Sequence, residues 1–163
     1  MTYVIIDGRG IIPDRVTKID NSAFYGCSRL ESIVIPDSVT LIEEAAFADC
    51  EYLQSIVIPD SVTKIEAWAF EQCTSLQLIV IPDSVTEIEE CAFGGCGSLQ
   101  SITIVTQEKD PDLSRERIEY LLQALSEYSK EFSLRVPINC EEAYRHHPAF
   151  EGKFKKVTAD IDV

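Results

Sequence analysis

Apolar and polar positions between residues 12 and 103 recur with a period of 23 residues. Cutting the chain before each Ile-Pro pair gives four copies: 12–34, 35–57, 58–80 and 81–103. The isoleucines at 19, 42, 65 and 88 align, as do the alanines at 23, 46, 69 and 92 and the phenylalanines at 24, 47, 70 and 93. Cysteines follow at 27, 50, 73 and 96, then leucines at 30, 53, 76 and 99 and isoleucines at 33, 56, 79 and 102. Aligned apolar columns at this period predict a solenoid, in which a unit too small to bury its own apolar face stacks on its neighbours.

Each unit divides into local elements. The segments "LESIVIP", "LQSIVIP" and "LQLIVIP" alternate apolar and polar positions and carry β-branched residues, the signature of a short strand. Proline fixes φ and has no N–H to donate, so it ends that strand, and the Asp-Ser that follows favours a turn. "SVTxI" predicts a second short extended piece. "AFxxC", with an acidic residue nearby, predicts a helical or 3₁₀ turn on the outer side. Strands stacked about 4.8 Å apart give a parallel sheet along one face.

The pattern L-x-x-I-x-I-P-x-S-V-T-x-I-x-x-x-A-F-x-x-C resembles the BspA-like leucine-rich repeat family, and it does so in all four copies. The tail "LRVPINCEEAYRHHPAFEGKFKKV" (134–157) resembles that family's terminal module: a V-P strand, a short Tyr-containing helix and an F-x-x-x-F ending. The resemblance implies an α/β, right-handed solenoid whose strands line a concave face. It also implies a surface or secreted bacterial protein engaged in adhesion or host contact.

Two regions break the period. Placing Pro137 on the Pro82 column leaves 55 residues between them, one unit plus an extended coil. That extension contains "SRERIEYLLQALSEYSKEF", whose Ile118, Leu121, Leu122, Leu125, Tyr128 and Phe132 fall on one helical face. It predicts a helix of about four to five turns with Ser114 as N-cap and "DPDL" as the preceding breaker, closing the core or docking a partner. A last strand is expected at 133–136. "YVIIDGRGII" (3–12) predicts a hairpin around Asp-Gly, a second cap. The organisation expected is one domain over 1–163: an N-terminal cap (1–11), four repeats (12–103), an extended helical repeat (104–133) and a capping module (134–163). With both ends closed, it reads as a complete short solenoid.

Composition narrows the function. Fourteen basic residues against 28 acidic ones give a net charge of −14, which disfavours nucleic acid and anionic membrane surfaces as partners. No apolar run approaches the roughly 20 residues of a membrane-spanning helix. "MTYVIIDGRG" lacks the basic and apolar segments of a signal peptide, which leaves a cytoplasmic location open beside the extracellular one.

Candidate chemistry is sparse. The cysteine column would set sulfurs in a row, whereas zinc needs ligands converging on a point, so a buried structural role is expected, with Cys91 exposed in a variable column. "NCEEAYRHH" (139–147) crowds Cys140, His146 and His147, the only material for a Cys/His nucleophilic pair. The same residues make a capped helix: Asn139 as N-cap, Glu142 in a capping box, Glu141–Arg145 and Glu142–His146 as i,i+4 pairs, and Pro148 as terminator. Asp14, Asp37, Asp60 and Asp83 form an acidic column that calcium could use, though Asp after Pro also accepts local turn hydrogen bonds.

The outward positions of the strands carry the remaining signal. One column holds Ser32, Ser55, Leu78, Ser101 and Ser133; beside it run Val34, Val57, Val80, Thr103 and Arg135. An exposed valine stripe marks a contact surface, although β-branched residues also simply suit strands. The expected site is therefore Ser55, Val57, Leu78, Val80, Ser101, Thr103 and Arg135, centred on Val57, Leu78 and Val80. A non-enzymatic module holding a protein or peptide on this face, with no cofactor or metal, is the leading expectation. The alternatives are a structural or self-associating module and a Cys/His enzyme.

Overall fold

The computed structural model describes residues 3–128 and 131–159, so the extremities of both expected caps and two residues of the long coil lie outside the described residues. In chain order the elements are β1 (Val4–Ile6), β2 (Arg9–Ile11), β3 (Lys18–Ile19), β4 (Ser32–Val34), β5 (Leu41–Ile42), β6 (Ser55–Val57) and β7 (Lys64–Ile65). There follow β8 (Leu78–Ile81), β9 (Glu87–Ile88), β10 (Ser101–Val105), α1 (Pro111–Leu125), β11 (Phe132–Val136), α2 (Glu141–Arg145) and β12 (Lys156–Ala159). The chain is a leucine-rich-repeat solenoid, and every coil has three sides.

The first side is the expected strand ladder. It is divided into two four-stranded sheets, β1-β2-β4-β6 and β8-β10-β11-β12, where one continuous sheet was expected. The division falls where Leu78 replaces the serine of the repeat. The second side is the "SVTxI" piece, which forms its own parallel sheet β3-β5-β7-β9 with Ile19, Ile42, Ile65 and Ile88 in register.

The third side is the expected outer run of turns: "AFxxC" forms successive tight turns that do not continue into a helix. The N–H groups of Ser22, Phe24 and Gly26 reach the carbonyls of Glu44, Ala46 and Ala48 on the next coil. Those of Ala23, Tyr25 and Cys27 close back onto Asp20, Ser22 and Phe24. This alternation gives the amides of the first three runs partners both within and between coils, which a helix lying across the stack could not do between coils. It requires left-handed backbone at two positions per coil: Ser22 and Gly26, Ala45 and Asp49, Trp68 and Gln72, Cys91 and Gly95.

Inside the coils a column of rings runs the length of the stack. Phe24, Phe47, Phe70 and Phe93 lie parallel with centroids 5.1, 5.2 and 5.3 Å apart. Tyr3 continues the column at one end (4.7 Å) and Tyr128 closes it edge-on at the other (5.9 Å). The aliphatic columns pack around these rings in one contiguous core.

The two ends are closed differently. At the first, β1 and β2 form the expected antiparallel hairpin, with Asp7 and Gly8 both at positive φ as a two-residue turn requires. At the second, α1 buries Ile118, Leu121 and Leu125 as its period predicts, while Phe132 begins β11. The N-cap is Asp110 and not Ser114: the Asp110 carboxylate accepts the Asp112 N–H at 3.0 Å and Pro111 occupies the first turn. Ser114 instead lies buried, its hydroxyl 2.9 Å from that of Tyr144. β12, absent from the expected pattern, pairs in parallel with β11.

Helix α1 also supplies donors that a further coil would have supplied. Between the first two repeats the hydroxyl of Ser38 donates to the Val16 carbonyl of the preceding coil, whereas the equivalent hydroxyls of Ser61 and Ser84 are buried without a hydrogen-bond partner among the described residues. The Val85 carbonyl accepts from Nε of Arg117 at 2.8 Å. The other guanidinium nitrogens donate to Val105 (2.9 Å) and Pro82 (2.6 Å), and Asp83 lies 3.6 Å away. The Tyr120 hydroxyl likewise accepts the Ile88 N–H and donates to the Ile88 carbonyl, capping the edge of β9.

Two stability predictions follow from these contacts. Arg117→Ala should lower the unfolding free energy by about 2–4 kcal/mol in urea titrations, and Arg117→Lys should recover little of it, because one ammonium cannot reach three carbonyls. Ala45→Gly, at φ 53°, should raise stability by roughly 0.5–1 kcal/mol, since relief of left-handed strain outweighs the added freedom of the unfolded chain.

Candidate functional site

Among the described residues no three Cys, His, Asp or Glu side chains are placed to share a metal ion. The cysteine column is a structural ladder. Cys50, Cys73 and Cys96 are buried, and each thiol donates to a phenylalanine carbonyl of the preceding coil: Phe24 (3.1 Å), Phe47 (3.2 Å) and Phe70 (3.1 Å). Burial pushes the Cys50 thiol up to about 12 and the Cys96 thiol up to about 11, with Cys73 raised further. These sulfurs are held as neutral thiols, the opposite of an activated nucleophile. Cys27, in the first repeat, is half-buried, and Cys91 is exposed.

The "NCEEAYRHH" segment does not assemble a Cys/His pair. Asn139 sits at φ 64° and is not the N-cap; Cys140 holds that position without a side-chain cap bond, its thiol facing the Ile138 carbonyl. Arg145 pairs with Glu142 and not with Glu141. His146 Nε2 lies 3.0 Å from Glu142 as the i,i+4 spacing predicts. His147 Nδ1 accepts the Ala149 N–H, which leaves Nε2 as the donor to Asp112 at 3.1 Å. That contact ties the end of α2 to the first turn of α1. Tyr144, fully buried, donates to the Glu108 carbonyl at 2.6 Å and stacks on Phe150.

The Pro-Asp-Arg-Val turn at 13–16 and the three Pro-Asp-Ser-Val turns are closed by backbone bonds from Val16, Val39, Val62 and Val85 to the prolines three residues before. Asp14, Asp37 and Asp60 are exposed, and among the described residues Asp83 is the member of the column that meets a cation, Arg117.

The strand-lined face gathers the remaining candidates. Parallel register sets Ser32 beside Ser55 and Val34 beside Val57 in one sheet, and Leu78 beside Ser101 and Val80 beside Thr103 in the other. The last strand departs from the expected columns by two residues, which keeps its outward side chains on the same face: Ser133 pairs with Thr103, not Ser101, and Arg135 with Val105, not Thr103. Val34, Val57 and Leu78 are 66, 69 and 55% exposed, whereas Val80, Ser101, Thr103 and Arg135 are half-buried. The hairpin adds residues that the 23-residue period does not reveal. Ile11 pairs with Val34 and Val4 with Ile11, while Arg9 pairs with Ser32 and Ile6 with Arg9. Ile6, Ile11 and Val4 are 53, 50 and 45% exposed, so the apolar stripe lengthens toward the hairpin. The alternation in "YVIIDGRGII" was the available signal. In the opposite direction the face turns polar, ending at Lys156 and Thr158 of β12.

A groove of about 570 Å³ opens at the hairpin end of this face, lined by Ile6, Asp7, Arg9, Ile11, Asp14 and Val34 among others. Another hollow, of about 510 Å³, lies between α2 and β12. Among the described residues no helix is long and apolar enough to cross a membrane.

Comparison with known proteins agrees with this geometry. The family described as BspA type leucine rich repeat region (6 copies) matches residues 10–110. A leucine rich cell surface protein from Faecalibacterium prausnitzii A2-165 superposes with a TM-score of 0.60 at 26% identity, over 96% of this chain and 33% of that one. The pneumococcal vaccine antigen PcpA gives 0.61 at 15% identity, over 95% of this chain and 42% of that one. A leucine-rich repeat protein from Bacteroides ovatus ATCC 8483 gives 0.51 at 22% identity, over 94% and 51%. At such identities the last two show a shared fold. The chain spans about a third of the length of the Faecalibacterium protein. None of the curated proteins compared matches the sequence.

The raised thiols generate a pH prediction. A buried thiol with a raised pKa keeps its proton in the folded state after the unfolded chain has lost it, so its contribution is complete below about pH 8.5 and is lost as pH rises toward the folded values. Urea midpoints should therefore fall between about pH 9 and 11, and a triple Cys50→Ala, Cys73→Ala, Cys96→Ala protein, less stable throughout, should show a flatter decline.

Proposed function

Because the chain belongs to the BspA-type leucine-rich repeat family, we propose that it is a non-enzymatic binding module that presents its strand-lined face to a protein or peptide partner at a cell surface. One observation carries this reading: Ile11, Val34 and Val57 stand in register on neighbouring strands, each at least half exposed, and Leu78 on the next coil is exposed as well. Aligned apolar side chains left in water on a sheet buried on its other side cost solvation that contact with a partner recovers.

The rest of the molecule supports the same use. Cys50, Cys73 and Cys96 donate to carbonyls of the core and both histidines lie against carboxylates, so these groups are committed to structure. The expected contact residues Ser55, Val57, Leu78, Val80, Ser101, Thr103 and Arg135 occupy one face, and the hairpin residues Ile6 and Ile11 join it. Surface location draws on the kinship with the Faecalibacterium cell surface protein.

The experiment compares the wild-type chain with Val57→Arg plus Val80→Arg in pull-downs from bacterial surface and host-matrix extracts. Partners held by the wild type should be lost from the double variant, whose melting temperature should stay within a few degrees because both side chains point outward. An unchanged set of partners rejects this face as the site.

A further inference from the structure

We infer that the hairpin end of the strand-lined face receives a cationic amphipathic helix, one carrying a row of apolar residues beside a row of Lys or Arg. The inference rests on the binding reading above and adds the chemistry of the partner.

Three observations converge. The groove of about 570 Å³ has apolar walls from Ile6, Ile11 and Val34 and carboxylates from Asp7 and Asp14, with Arg9 as its one cation. The Asp14 position recurs as Asp37 and Asp60 on the next two coils, which also carry Val34 and Val57, and all three carboxylates are exposed and, among the described residues, in no ion pair. Unpaired acids therefore run along the same coils as the exposed valines. The fourth member, Asp83, is neutralised by Arg117 where the valine column loses its exposure. Charge follows the same division: residues 1–110 hold six Lys and Arg against eighteen Asp and Glu, whereas residues 111–163 hold eight against ten. A ligand approaching the hairpin half meets a negative field that draws in cations.

Spacing selects the shape of the ligand. Neighbouring strands lie about 4.8 Å apart, and successive turns of an α-helix lie about 5.4 Å apart, so a helix laid across the strands offers one apolar side chain to each coil with little drift. An extended segment repeats its same-face residues at about 6.6–6.8 Å and slips by some 2 Å at every coil. Apolar residues at i, i+3, i+4 and i+7 would seat on Ile11, Val34 and Val57, and cations on the adjacent side would face Asp14, Asp37 and Asp60.

The test is fluorescence anisotropy with a labelled Leu/Lys amphipathic helix of about five turns and its Leu/Glu counterpart of identical pattern. The Lys peptide should bind, weakening about tenfold between roughly 50 and 300 mM salt, and the Glu peptide should not. The triple variant Asp14→Asn, Asp37→Asn, Asp60→Asn should weaken binding about tenfold, and Val34→Thr plus Val57→Thr should do the same. Glu51→Gln, Glu90→Gln, Glu116→Gln removes the same charge from exposed positions off this face and should change affinity less than about twofold. All variants alter exposed side chains, and matched thermal transitions confirm that like is compared with like. Equal binding of the two peptides, or equal effects of the two triple variants, overturns the inference by reducing it to diffuse attraction. Loss of extract partners in Val57→Arg plus Val80→Arg without any effect of the aspartate variant on them also overturns it, while leaving the binding module standing.

Discussion

Everything in this molecule depends on coils being superposable, because each coil completes its hydrogen bonds on its neighbours. The N–H groups of one turn run reach carbonyls one coil ahead, and the strands pair in parallel at the same offset. A residue that changed the path of one coil would orphan donors and acceptors on both sides, each costing about 1–3 kcal/mol. Identical backbone then brings identical side chains together, so the phenylalanine rings stack within 6° of parallel. The repeat in the sequence is the trace of this requirement.

That requirement explains both what the sequence reveals and what it hides. The columns of Ile, Phe, Cys and Leu follow directly from the period, and the core is built from them. The cross-coil bonding of the turn run is hidden because Ala, Phe and acidic residues favour helices locally, and the demand for bonds between coils stops those turns from continuing into one. Left-handed backbone at Ser22, Ala45, Trp68 and Cys91 leaves no mark in four unrelated side chains, although Gly26 and Gly95 hint at the second such column. At helix α1, Asp110-Pro111 carries a start signal of its own, and the serine three residues on competes with it in the sequence. Burial of Ser114 against Tyr144 is a tertiary fact that decides the matter.

The candidate face is partly legible for the same reason. Positions that obey the period, such as Val34 and Val57, can be placed on one surface by counting. Ile6, Ile11 and Val4 reach that surface through an antiparallel hairpin, whose register comes from the Asp7-Gly8 turn and not from the period. Val80 shares the column of Val57 yet is half-buried where Val57 is exposed, a difference that depends on surroundings and not on spacing.

Apart from the ion pair of Arg117 with Asp83, an aspartate that recurs in every unit, Arg117 and Tyr120 address backbone atoms, those of the last regular coil and of Val105. A cap that recognises main chain is indifferent to how many coils precede it. Whole 23-residue units could therefore be added or removed upstream without redesigning the end, provided the unit meeting α1 keeps its path. Length in this architecture is an adjustable quantity, and the reach of the strand-lined face can evolve separately from the chemistry written on it.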